Sequence, residues 1–226
     1  MRLDTVAAFR MVIRTAARLC AALPAPVAAG LATVGGTVEW ALRPGKRRVL
    51  AANLGHTVGL PADAPDVHRL VRRNMQAGAR RAAGMLWALD RPSTAARRVR
   101  IEPAGRLRDV LAEGRGVVLT SAHVGPFESV AAVAHVLPDG VAMAVVAEDT
   151  RTGRAMAPLR RRMGVRVVDT ATGFRPAVDL LRAGNIVVVI ADLHRDGMRG
   201  HRVPFLDGTL IVPGARRRWR AWPAPR

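Results

Sequence analysis

The stretch Gly114-Arg115-Gly116-Val117-Val118-Leu119-Thr120-Ser121-Ala122-His123-Val124-Gly125-Pro126-Phe127-Glu128-Ser129 decides how this chain is read. Residues 116–122 form an apolar run of strand length, and such a run suits a strand buried on both faces of a parallel sheet. His123 stands just past its end. Gly125 permits a sharp turn, and Pro126 suits the first turn of a helix that follows.

Working outward, residues 105–113 read as a short helix ended by Gly114. Downstream come a helix over 130–136, a strand over 141–147, a helix over 154–163, a strand over 165–169, a helix over 176–183 and a strand over 185–192. The alternation predicts an α/β fold: a mostly parallel central sheet flanked by helices. In such sheets functional groups collect beyond the carboxyl ends of the strands, where both His123 and Asp192 fall.

The region before residue 46 has a different texture. Residues 6–20 carry apolar positions at helical spacing, with Arg10, Arg14 and Arg18 recurring on one face, the pattern of a basic helix lying in a bilayer interface. Residues 19–38 are uncharged, but Pro24, Pro26 and several glycines interrupt them, so a spanning helix of about 20 apolar residues is not expected. Helices are expected at 47–54, ending near Gly55, and at 67–89, with breaks at 61–65 and 91–95. The expected organisation is an N-terminal membrane-associating segment at 1–45, an α/β domain at 46–215 and a basic tail at 216–226.

Of the 226 residues, 36 are Lys or Arg and 17 are Asp or Glu, for a formal net charge of +19. Lys46 is the only lysine. An arginine excess of this kind accompanies GC-rich coding, yet the sum still favours an anionic surface or substrate. No helix-turn-helix pattern, zinc-finger spacing or aromatic-bearing strand motif accompanies it, which argues against nucleic acid. The single cysteine, Cys20, excludes an intramolecular disulfide framework and multi-cysteine zinc sites.

His123 and Glu128 would point about 140° apart on one continuous helix. A strand–turn–helix corner instead brings the carboxylate back towards the imidazole. An imidazole takes a proton from a hydroxyl near neutral pH, and a carboxylate fixes its tautomer and stabilises the imidazolium. The adjacent helix N-terminus suits a phosphate or an oxyanion. Ser121 precedes His123 by two residues, but the G-x-S-x-G elbow of a serine nucleophile is absent.

The segment 114–129 resembles the H-x4-D/E block of the lysophospholipid acyltransferase superfamily, and most of all the lipid A late acyltransferases and the phosphatidylinositol mannoside acyltransferases. Ala51-Ala52-Asn53-Leu54-Gly55 resembles their upstream Asn-Leu signature, and residues 159–168, with Arg160 and Gly164, resemble their R-x3-G segment. Residues 180–192, then 203–215, resemble the later strand, its acidic residue and an apolar loop leading to Pro-x-Gly. The resemblance implies an acyltransferase that moves a fatty acyl group from acyl-CoA or acyl carrier protein to a hydroxyl of a membrane glycolipid, with phosphatidylinositol mannoside preferred. It implies His123 as general base, Glu128 as its charge partner, Asp192 as a second acidic group, and Arg160 and Gly125 as substrate-holding positions. No metal or cofactor is implied, and the expected location is peripheral, on the cytoplasmic face of the cell membrane.

Two departures stand out. Phe205-Leu206-Asp207 replaces the family's Phe-Phe-Gly, and residues 215–226 form a basic, Trp-containing tail where the family continues with an Ala-rich helix, which suggests a truncated product. Two rival readings remain open. Asp192, His194 and Asp196, with His201 nearby, suit a divalent ion in a metal-dependent hydrolase. The arginines alone suit a non-enzymatic protein that binds anionic lipid.

Overall fold

The computed structural model describes residues 5–100, 105–125, 127–137, 141–147, 150–169, 174–190, 192, 200–206 and 208–213. The chain divides into two compact units, one of residues 14–90 and the other of residues 91–226 with residues 1–13. Residues 46–90 thus group with the N-terminal helices rather than with the sheet.

The helical unit holds the second half of α1 (Thr5–Ala22), then α2 (Ala25–Leu42), α3 (Pro44–Val58) and α4 (Pro65–Asp90). The prolines do not interrupt α2. Pro26 lies in its first turn, where a missing N–H leaves no intrahelical bond unmade, and the helix runs unbroken through Gly35 and Gly36. Gly36 lets α4 approach closely: a Cβ there would lie 2.6 Å from the Gln76 Cα. On either side of it, Gln76 Nε2 donates to Thr37 Oγ1 at 2.9 Å and Arg80 Nη1 donates to Thr33 Oγ1 at 3.2 Å. Val67, Val71 and Met75 of α4 form the buried centre of this unit, packed against Trp40, Leu50 and Leu54. The guanidiniums of Arg47 and Arg72 lie 5.0 and 5.7 Å from the Trp40 ring.

Helix α3 runs past Gly55, the expected end. Gly55 is buried because the Leu60 carbonyl closes over it, 2.7 Å from where a Cβ would stand. The left-handed cap falls to Gly59, with φ of 70°.

In the second unit, α5 (Pro92–Ala96) occupies the expected break, with Pro92 in its first turn. Helix α6 (Arg106–Ala112) leads through Gly114, at φ of 71°, to β1 (Val117–Ser121). A 3₁₀ segment, Phe127–Val136, stands where a helix over 130–136 was expected, and α5 packs on it. The alternation then continues with β2 (Met143–Ala147), α7 (Arg151–Arg162), β3 (Arg166–Asp169), α8 (Arg175–Arg182) and β4 (Ile186–Ile190). The Thr150 hydroxyl caps α7 by accepting the Gly153 N–H.

The four strands are parallel and lie in the order β1-β4-β2-β3, so the chain is mixed α/β with a parallel sheet flanked by helices, as the alternation predicts. The expectation that residues 116–122 are buried on both faces is corrected. β1 is an edge strand, with Val118 and Thr120 exposed. The strand covered on both faces is β4, whose Ile186, Val187 and Val188 are essentially inaccessible. One of its faces packs Val187 with Ala144, Val168 and Ala177 of α8. Asn185 ties the base of the sheet together: its Oδ1 accepts the Ala142 N–H at 2.8 Å and its Nδ2 donates to the Leu180 carbonyl at 3.1 Å. Its own carbonyl accepts the Val117 N–H at 3.0 Å.

Residues 203–215, expected as an apolar loop, contribute instead to an antiparallel hairpin of β5 (Gly200–Phe205) and β6 (Gly208–Pro213), a separate two-stranded sheet. Among the described residues no helix is long and apolar enough to cross a membrane.

Candidate active site

The register of β1 on β4 builds the site. Ser121 lies opposite Ile190 at the carboxyl end of the pair. Two residues further along each chain stand His123 and Asp192. Because the strands are parallel, both leave the sheet in the same direction, and both reach the edge where α/β sheets carry their chemistry.

Asp192 grips His123 twice. Its Oδ2 accepts the His123 backbone N–H at 2.7 Å, and its Oδ1 lies 2.7 Å from His123 Nδ1. An ionised carboxylate only accepts, so Nδ1 carries the proton and Nε2 is left with its lone pair. The ring is thereby held in the tautomer a general base requires. Phe127 fixes it from another side, edge to face, with centroids 4.6 Å apart and planes at 71°. Both side chains of the pair are about one-third exposed, so water and substrate reach them.

The electrostatics agree with the geometry. Burial pushes the Asp192 carboxyl up, but the hydrogen bonds from the His123 ring and backbone, with the attraction of the imidazolium, outweigh it and hold the group below the ordinary aspartate value.

Gly125 takes φ of 60°, a left-handed conformation that lets the chain turn directly after His123. Glu128 enters the 3₁₀ segment, but its side chain lies outside the described residues. Arg160 is in the last turn of α7, just before β3 begins. In a parallel sheet that position is at the amino ends of the strands, the edge opposite His123. The Ser121 hydroxyl meets the Ala122 carbonyl at 3.5 Å, the limit of a hydrogen bond.

His194 and Asp196, the core of the metal-site reading, lie outside the described residues. Both oxygens of Asp192 are engaged by His123. Among the described residues no group of three or more His, Cys, Asp or Glu is gathered. The helical unit has a pocket of about 380 Å³ bounded in part by Trp40, Arg47, Arg48, Asp63, His68 and Val71.

The model for the bacterial lipid A biosynthesis acyltransferases matches residues 5–214, nearly the whole chain and both units. The chain belongs to this family. A search of curated proteins finds no match. Membership in the lipid A acyltransferase family makes the chain an acyltransferase of lipid biosynthesis, with an acyl donor and a lipid acceptor.

Two features of the site escape local sequence reading. Phe127 packs on His123, and its only signal was an aromatic residue four positions after a histidine. The strand-end place of Asp192 was legible, but its pairing with His123 was not, because 69 residues separate the two.

Proposed function

We propose that the chain transfers a fatty acyl group from acyl-CoA or acyl carrier protein to a hydroxyl of a membrane glycolipid, of the phosphatidylinositol mannoside type. The observation that carries this reading is the double grip of Asp192 on His123, which leaves Nε2 available as a base at the carboxyl edge of the sheet. The acceptor hydroxyl gives its proton to Nε2 as its oxygen attacks the thioester carbonyl. The tetrahedral intermediate collapses with loss of the thiolate, which takes the proton from the imidazolium. An ester and a free thiol result, and His123 returns to its starting state. Asp192 stabilises the imidazolium between the two steps and acts through His123, as a positioning residue. Neither step requires a metal or a cofactor.

Glu128 and Gly125 belong to the same corner, where the turn after His123 and the first residues of the 3₁₀ segment suit the thioester oxygen or a substrate phosphate. Arg160 is retained from the family likeness as a substrate-holding candidate, although its place on α7 gives it no support. The mannoside acceptor rests on the likeness of residues 114–129 and 180–192 to the mannoside enzymes. An acceptor embedded in a bilayer and a net charge of +19 together favour a peripheral site of action on the cytoplasmic face of the membrane.

The test incubates the protein with membranes and labelled acyl-CoA, and identifies acylated lipid by mass spectrometry. His123→Ala is expected to lower turnover by about two to four orders of magnitude. Equal labelling by wild type and His123→Ala would remove His123 from the reaction.

A further inference from the structure

Helix α2 is apolar on two opposite sides, and only one is covered within its unit. The side carrying Thr33, Gly36, Thr37 and Trp40 faces α4 and the core beneath it. The other carries Val27, Leu31, Val34, Val38 and Leu42, spaced four, three, four and four residues apart. At 100° per residue they fall within an arc of about 80°, centred opposite Gly36, in a stripe roughly 22 Å long. All five are exposed, from 46% for Val27 to 74% for Leu42. A solvent-facing helix side is ordinarily polar. A continuous exposed apolar stripe marks a contact surface.

We infer that this stripe is the face on which the protein settles into an anionic bilayer, with α2 lying in the plane of the interface. The choice of a bilayer as occupant rests on the reading that the chain acts on membrane lipid. Three observations support it. The stripe is wholly Val and Leu, without the Trp, Tyr or Arg anchors that dominate protein–protein contacts. Helix α2 is not apolar enough to span, so a helix with this stripe lies flat. Its charges are arranged for anionic head groups: Glu39, the sole acid of α2, is neutralised by Lys46 at 2.8 Å and Arg43 at 3.7 Å, and Arg48 follows close behind. The entering surface is therefore a face of α2, distinct from the arginine face of α1 that the sequence pattern singles out.

The test uses the full chain and vesicles of phosphatidylcholine with about 30% phosphatidylglycerol. A single cysteine is placed by Val34→Cys in a Cys20→Ser background and labelled with an environment-sensitive dye. On vesicle binding its emission should shift to the blue, and nitroxide-bearing acyl chains should quench it. Leu31→Glu with Val34→Glu should lower the bound fraction by about tenfold or more, a deficit that persists in about 0.5 M salt, where the arginine contribution is screened. Should the glutamate variant fail to fold, the dye decides alone. A dye that stays aqueous on vesicle-bound protein would overturn the inference, as would a folded glutamate variant that binds like wild type. Protection of the dye by protein concentration without vesicles would also overturn it, by assigning the stripe to a second copy of the chain. None of these readouts requires turnover, so the inference and the acyl-transfer reading fail separately.

Discussion

Replacing Asp192 by Asn keeps the shape of the side chain and removes one of its two acceptors. In the wild type both carboxylate oxygens face donors, the His123 backbone N–H and the Nδ1–H, each at 2.7 Å. The amide has one oxygen and one NH₂ group, so it satisfies one donor and confronts the other. If the oxygen goes to Nδ1–H, the backbone N–H meets NH₂ and the corner after β1 is pushed apart. If the oxygen goes to the backbone, the NH₂ donates to Nδ1, the ring proton moves to Nε2, and the base is lost. Removing a carboxylate from such a pair lowers kcat by about three to four orders of magnitude. Here both side chains are 34% exposed, so water replaces part of the lost stabilisation and we expect the lower end, about a thousandfold. That corresponds to roughly 4 kcal/mol of transition-state stabilisation.

The assay measures kcat and KM for acyl transfer by wild type, Asp192→Asn and Glu128→Gln, with circular dichroism to verify folding. The fall should appear in kcat with KM little changed; loss of folded protein would also lower Vmax at constant KM, so the circular dichroism is what separates the two. Activity of Asp192→Asn within threefold of wild type, with activity abolished in Glu128→Gln, would refute the reasoning and return the partner role to the acid five residues after His123. The same variant has a pH signature. The Asp192 carboxyl is held below its unfolded value near 3.9, so its contribution to stability is present above that pH and is lost as pH falls through the lower folded value. The difference in unfolding free energy between wild type and Asp192→Asn should therefore narrow below about pH 4.

Two further perturbations test the scaffold by denaturant unfolding. Asn185→Ala leaves the half-buried Ala142 N–H without its acceptor, while the Leu180 carbonyl keeps the backbone N–H of residue 185, and should lower the stability of the sheet unit by about 1–3 kcal/mol; a loss under 0.5 kcal/mol would show that water replaces the amide. Gly36→Ala puts a methyl 2.6 Å from the Gln76 Cα, which backbone must yield to, so a loss of about 1–3 kcal/mol is expected, against a gain of about 0.5–1 kcal/mol at Gly30, inside the same helix, where a Cβ meets nothing within 4 Å.

The α/β half was legible because each element carries its own period. Strands β2, β3 and β4 and helices α7 and α8 fall within about three residues of their expected bounds. The errors come from residues whose meaning is set by tertiary neighbours. Gly55 looks like a helix cap but is small because the Leu60 carbonyl sits on it. Val117, Val118 and Leu119 look doubly buried but belong to the edge strand. Pro26 looks like a breaker but occupies the one turn that tolerates it. The histidine was legible as a strand-end residue before a glycine turn. Its grip on Asp192 was not, since strand order is a property of the whole sheet and no window of sequence records that β4 inserts beside β1.

That insertion also bears on how the protein is made. β1 and β2 follow one another in the chain but do not pair; β4, the last strand of this sheet among the described residues, lies between them. As the chain emerges from the ribosome, His123 appears long before Asp192, and among the described strands β1 pairs only with β4, which is synthesised last. Pairing of β1 with β4 and the meeting of His123 with Asp192 are thus a single event.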